Sequence, residues 1–189
     1  MTSMPSDKAP GIDKISMRVN KHSPPAILSS VTSIINESLA SNTFPKEWKP
    51  AEVIPVLKEV DHEKPNNYRP ISLLPVLSKL CECIALNQLV PYLVENDRLS
   101  VHQSGDKKWH SVQWSTLLIA FSQLTKRKHQ QWFRRYSSNR YQAVRINTAL
   151  SEPLLMRSGV PQGSILGPLL FIVYANDLPS IPQHRSTDC

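Results

Sequence analysis

Residues 159–168 read Gly-Val-Pro-Gln-Gly-Ser-Ile-Leu-Gly-Pro and run into an uncharged apolar stretch, 165–175. Gly159 and Gly163 permit a positive φ or a close backbone approach, and Pro161 stiffens the bend between them. Ser164 can cap a helix whose body is Leu166, Leu169, Leu170, Phe171, Val173 and Tyr174. Such a turn presents the Gln162 amide to a neighbour, with free backbone N–H groups beside it. A glycine-rich loop entering a buried helix accounts for the same residues without a ligand. A second pair is Lys58 and Arg69. Residues 48–58 and 68–74 read as strands around a polar loop, a hairpin with one cation at each edge near the tip. The Arg fork and the Lys point charge could grip a polyphosphate there, and two ordinary surface cations would look the same.

A third set is a tract. No carboxylate lies between Asp106 and Glu152, a window that carries Lys107, Lys108, Lys126, Arg127, Lys128, Arg134, Arg135, Arg140 and Arg145. Interleaved with these are Trp109, Trp114, Phe121, Trp132, Phe133, Tyr136 and Tyr141. Basic residues among aromatics suit a nucleic-acid backbone and unstacked bases, with little sequence preference. A solubilising charged face is the alternative.

The chain has 189 residues, 40% hydrophobic and 20% charged, enough for one domain or one and a half around a real core. Sixteen prolines imply many broken elements, and the net charge of +7 is concentrated in the tract above. Cys81, Cys83 and Cys189 form neither a disulfide framework nor a zinc pair, which predicts buried, reduced thiols. His102 lacks a partner at any ligand spacing and is expected to be structural. No apolar run is long enough to span a bilayer, and the N-terminus is polar rather than signal-like. The expectation is an intracellular protein, nuclear or cytoplasmic, with no membrane partner; the sequence is silent on its oligomeric state.

In chain order, 8–13 form a Pro-Gly turn, and Pro24-Pro25 open a helix with Ile27, Leu28, Val31, Ile34, Ile35 and Leu39 on one stripe. Phe44-Pro45 ends it, and Pro55 restricts the first strand to an edge or irregular position. Residues 76–95 read as a helix burying Leu77, Leu80, Ile84 and Val90, with a kink at Pro91. Residues 141–146 and 154–156 read as two further strands feeding the Gly159 turn.

Several of these segments resemble one family. The string Phe44-Pro45, Trp48-Lys49, Val53-Ile54-Pro55, Lys58 and 67–74 (Asn-Tyr-Arg-Pro-Ile-Ser-Leu-Leu) is similar to the fingers of reverse transcriptases from non-LTR (LINE-like, jockey-type) retrotransposons. The Gly159–Pro168 string resembles the box that precedes their catalytic loop, and Lys8-Ala9-Pro10-Gly11-Ile12-Asp13 resembles their entry to the fingers. The resemblance implies an α+β fold, a partial right-hand polymerase of short antiparallel hairpins and helices without a thumb. Residues 1–118 are then fingers-like, and 132–189 form a partial palm. It implies nucleotide binding by Lys58, Arg69, Gln162 and Gly163, a dNTP and an RNA or DNA backbone as partners, and Mg²⁺ as the cofactor of the intact family.

The sequence also departs from that pattern. Relatives continue for several dozen residues after the helix that Ser115-Thr116-Leu117-Leu118 resembles, including a strand with the first catalytic aspartate. Here Trp132, Phe133, Tyr136, Arg140 and Val144 resume the pattern after thirteen residues, 119–131, that hold no Asp or Glu. An internal deletion joined at 119–131 is expected, together with a C-terminal truncation before the family's paired aspartates. Tyr174-Ala175-Asn176-Asp177 offers one carboxylate at a helix end, and Glu82, Glu95 and Glu152 lie in unrelated segments. Two-metal nucleotidyl transfer needs converging carboxylates. No catalytic or metal-binding residue, no cofactor and no turnover are therefore expected of this chain, which leaves a binding module for RNA or DNA, or an element product with no function, as alternatives.

Overall fold

The computed structural model describes residues 9–16, 18, 22, 25–58, 61, 63–96 and 127–175. Helix α1, Pro25–Ala40, begins at the second proline of the pair, where a missing N–H costs nothing. A 3₁₀ turn at Lys46–Trp48 leads into β1, Ala51–Leu57, and a second at Pro65–Asn67 leads into β2, Tyr68–Leu73. Helix α2 is Val76–Glu95 and α3 is Arg127–Ser137. Strands β3, Tyr141–Ile146, β4, Ala149–Leu150, and β5, Leu154–Leu155, precede α4, Gly167–Ala175.

The sheet is mixed, in the order β2-β1-β3-β4, with β5 also on β3. β1 and β2 form the expected antiparallel hairpin, with Val56 opposite Arg69 and Pro55 opposite Pro70. β1 instead pairs with β3 in parallel, through Ala51, Glu52 and Val53 only. Pro55 lies beyond that short pairing, which is why a strand between two neighbours can hold a proline without losing a ladder bond. The returning strand on β3 is split by Pro153, and the Ser151 hydroxyl accepts the Val144 N–H at 2.9 Å in the gap.

One core joins described residues from both sides of 119–131. Phe44 meets Trp48, Trp132 and Tyr136 edge-on at 5.7, 5.4 and 5.1 Å between centroids. Trp132 stacks on Tyr136 and donates Nε1–H to Ser38 Oγ at 3.2 Å, tying α3 to α1. Two expected stripes hold in most of their residues and fail at their margins. In α1, Val31 and Ile35 are buried, but Ile27 and Ile34 are exposed. In α2 the expected Leu80 is buried and Leu77 and Ile84 pack partly buried against the core, the face also takes in Ser78, Cys81, Glu82, Ala85, Leu89 and Leu93, and Val90 is exposed; the helix continues past Pro91 to Glu95.

The N-terminal turn packs on the start of α2. A Cβ added at Gly11 would stand 2.4 Å from the Leu74 carbonyl carbon, so only glycine fits there. No helix among the described residues is long and apolar enough to cross a membrane.

Candidate nucleotide and nucleic-acid site

The hairpin brings Lys58 and Arg69 to one end of the β1–β2 ladder. Val56 faces Arg69, and the Lys58 N–H donates to the Asn67 carbonyl at 2.7 Å, extending the register by one pair. Lys58 and Arg69 are both exposed, and alternation along the strands sets them on the same sheet face.

The glycine turn docks on β2. The Ser72 N–H donates to the Gln162 carbonyl at 2.7 Å. Ser72 lies three residues from Arg69, about 10 Å along a strand. Gly159 and Gly163 have φ of 84° and 108°, as a turn of this sequence requires. A Cβ at Gly163 would come within 3.0 Å of the Ser72 carbonyl oxygen, so the glycine also permits the docking. The Ser164 hydroxyl accepts the Gly167 N–H at 3.1 Å, the expected cap. Gln162 Oε1 is buried without a hydrogen bond, beside a cavity of about 160 Å³ that Gln142, Ser158 and Ser72 help to line.

One expectation about this turn is overturned. The N–H groups at the start of α4 are not free: the Glu82 carboxylate accepts from Ile165 at 2.8 Å and Leu166 at 3.3 Å. Ser78 Oγ donates to the same group at 3.0 Å. Glu82 is 0% exposed, and burial raises its pKa above the usual carboxylate value, while Arg140 pulls it the other way. The Tyr136 hydroxyl lies near Glu82 and Ser164 without reaching hydrogen-bond geometry with either, and burial raises its pKa too. The only hint of Glu82 in the sequence is a glutamate four residues after Ser78 in a mostly apolar helix.

Arg140 is also corrected. It is 0% exposed, lies 4.2 Å over the Tyr136 ring, and donates Nε–H to the Tyr136 carbonyl at 2.8 Å, so it cannot meet a nucleic-acid backbone. Arg134 and Arg135 are exposed on the outer face of α3, and Arg135 also donates to Thr43 Oγ1 at 2.8 Å. The backbones of Arg127 and Lys128 lie in α3, at its start. Lys107, Lys108, Lys126, His102 and 176–189 lie outside the described residues, as does Cys189. Cys81 is a free, buried thiol, its pKa pushed up to about 12 by burial, and Cys83 is also free.

A magnesium site does not fit the described carboxylates. Glu52, 2% exposed, is gripped by Arg145 through Nε and Nη2 and by Lys14 at 3.1 Å, and Glu82 is held by backbone N–H groups. Among the described residues, no group of three or more His, Cys, Asp or Glu could hold a metal ion.

No protein-family model matches the chain. The chain is 32% identical to the probable RNA-directed DNA polymerase from transposon BS of Drosophila melanogaster, over 98% of this chain and 24% of that protein. It is 28% identical to the RNA-directed DNA polymerase from mobile element jockey of the same species, over 94% of this chain and 23% of the relative. The putative 115 kDa protein in its type-1 retrotransposable element R1DM is 29% identical, over 88% and 19%. The chain thus spans a quarter or less of the length of these curated relatives. The match to the BS protein runs over 222 positions against 189 residues here, so that relative carries residues within the matched span that this chain lacks. The chain is therefore similar, along nearly its whole length, to one segment of the RNA-directed DNA polymerases from transposon BS and mobile element jockey.

Proposed function

We propose that this chain keeps the nucleotide- and nucleic-acid-gripping parts of a non-LTR reverse transcriptase and binds without polymerising. The observation that carries the proposal is the Ser72–Gln162 bond, which seats the Gln162–Gly163 turn against the strand bearing Arg69. Lys58 and Arg69 then meet the phosphates of an incoming dNTP, and Gln162 and Gly163 pack beside its base. Arg134, Arg135 and the basic residues 107–128 meet an RNA or DNA backbone without sequence preference. Residues 1–118 act as fingers and 132–189 as part of a palm, at an intracellular site, nuclear or cytoplasmic, where an RNA template is found.

Inactivity follows from the missing acids. A primer hydroxyl attacks an α-phosphate only when metal ions, held by converging carboxylates, stabilise the attacking and leaving oxygens. No Asp or Glu occurs in 107–151, a window that includes the 119–131 join where the family's first aspartate is expected, and the BS match runs over more positions than this chain has residues. Incubating the chain with primed RNA template, dNTPs and Mg²⁺ tests this directly. No extension beyond a protein-free blank is expected, and extended product overturns the proposal. In parallel, fluorescence anisotropy with labelled RNA–DNA duplex should show binding that weakens steeply with salt. Arg69→Ala should weaken dNTP binding by about tenfold, the scale of one charge-assisted contact.

A further inference from the structure

We infer that Glu82 is a positioning residue for the Gln162–Gly163 turn: its carboxylate occupies the N–H groups at the start of α4 and thereby fixes where Gln162 stands. A helix start is ordinarily open to solvent or an external anion. Here an internal carboxylate, 0% exposed, takes that place with bonds of 2.8 Å from Ile165 and 3.3 Å from Leu166. Ser78 Oγ donates at 3.0 Å from one turn earlier on α2, which orients the carboxylate.

The turn is consequently clamped on two sides. β2 holds it through the Ser72–Gln162 bond, and α2 holds it through Glu82. Between the clamps, Gln162 Oε1 is buried with no hydrogen bond of its own. A rigid turn with an unsatisfied amide oxygen is a contact prepared in advance, since the entropy of ordering it is lost on folding and not on binding. The charged and titratable groups facing Glu82 are Arg140 and Tyr136 at the end of α3 and beyond it, and Cys81 on its own helix. Arg140, stacked over Tyr136, supplies the countercharge at a distance. The consequence for binding rests on the nucleotide proposal above; the clamp itself does not.

The test compares the full chain with Glu82→Gln and Glu82→Asp by amide hydrogen exchange and ¹H–¹⁵N spectra. Gln keeps the shape but removes the negative charge and sets an NH₂ group against either Ser78 Oγ or the Ile165 and Leu166 N–H groups, and Asp is one methylene too short. In both variants the amides of Ile165, Leu166 and Ser72 should exchange at least about tenfold faster, with those of α1 unchanged. Unchanged exchange at those three amides overturns the inference. Should both variants unfold, the wild-type chain decides. Its Ile165 and Leu166 amide signals should move with pH at a midpoint above the usual carboxylate range, and flat signals overturn the inference. Adding dATP separates the two proposals. A wild-type chain whose amides respond but which binds no dATP upholds Glu82 and overturns the nucleotide proposal, whereas binding weakened in Glu82→Gln upholds both.

Discussion

Glu52 and Glu82 are both buried carboxylates, yet their surroundings move them in opposite directions. At Glu52 the Arg145 guanidinium outweighs burial and, with Lys14 added, holds the carboxyl below its usual value. Its folded pKa is then lower than its unfolded one. The stabilisation is present above the unfolded value of about 4 and is lost as pH falls through the depressed folded value. Glu52→Gln should flatten the acid limb of a plot of urea midpoint against pH; a limb as steep as wild type would remove Glu52 as its source. Glu82, whose pKa is raised, has the opposite sign: its contribution falls as pH rises from the unfolded value through the folded one. At the same scale, Gly11→Ala forces a Cβ to within 2.4 Å of backbone carbon, which cannot swing aside as a side chain could. A loss of about 2–4 kcal/mol in urea unfolding is expected, at the upper end for a single substitution.

Among the elements, α3 shows how one helix serves both core and surface. Trp132, Phe133, Tyr136 and Ser137 are buried, whereas Arg134 and Arg135 face outward. Arg134→Glu should leave the thermal melt within about 0.5 kcal/mol of wild type, as for most surface changes, while weakening nucleic-acid binding. Arg140→Glu, by contrast, replaces the countercharge of Glu82 with a second buried acid and leaves the Tyr136 carbonyl without its donor, and should abolish the cooperative melt. Phe44 joins this helix to the 3₁₀ turn before β1, meeting three aromatic rings edge-on. Phe44→Ala should cost about 3–5 kcal/mol and remove much of the near-UV circular dichroism, because the cavity opens among rings that cannot close over it.

At the scale of the whole molecule, the net charge of +7 and a carboxylate-free tract predict association with nucleic acid driven by counterion release. The slope of log affinity against log salt should be clearly negative and nearly the same for different sequences of duplex. A slope near zero would assign the tract to solubility alone.

Much of this was legible beforehand, for local reasons. Alternation and turn residues marked the β1–β2 hairpin, two glycines marked the positive-φ turn, and Pro25 marked the start of α1, because each depends on a few adjacent residues. The sequence by itself determined the kinship and the parts: motif strings carry the similarity to the BS and jockey proteins, and adjacent residues carry the elements. Only the tertiary structure decided that β1 runs parallel to β3, that Arg140 lies inside, and that Glu82 fills the start of α4. These depend on groups 83 and more residues apart. A cation in a basic tract and a glutamate in a helix look solvent-facing until a buried partner is close enough to offset the loss of water, and that distance is set by packing alone.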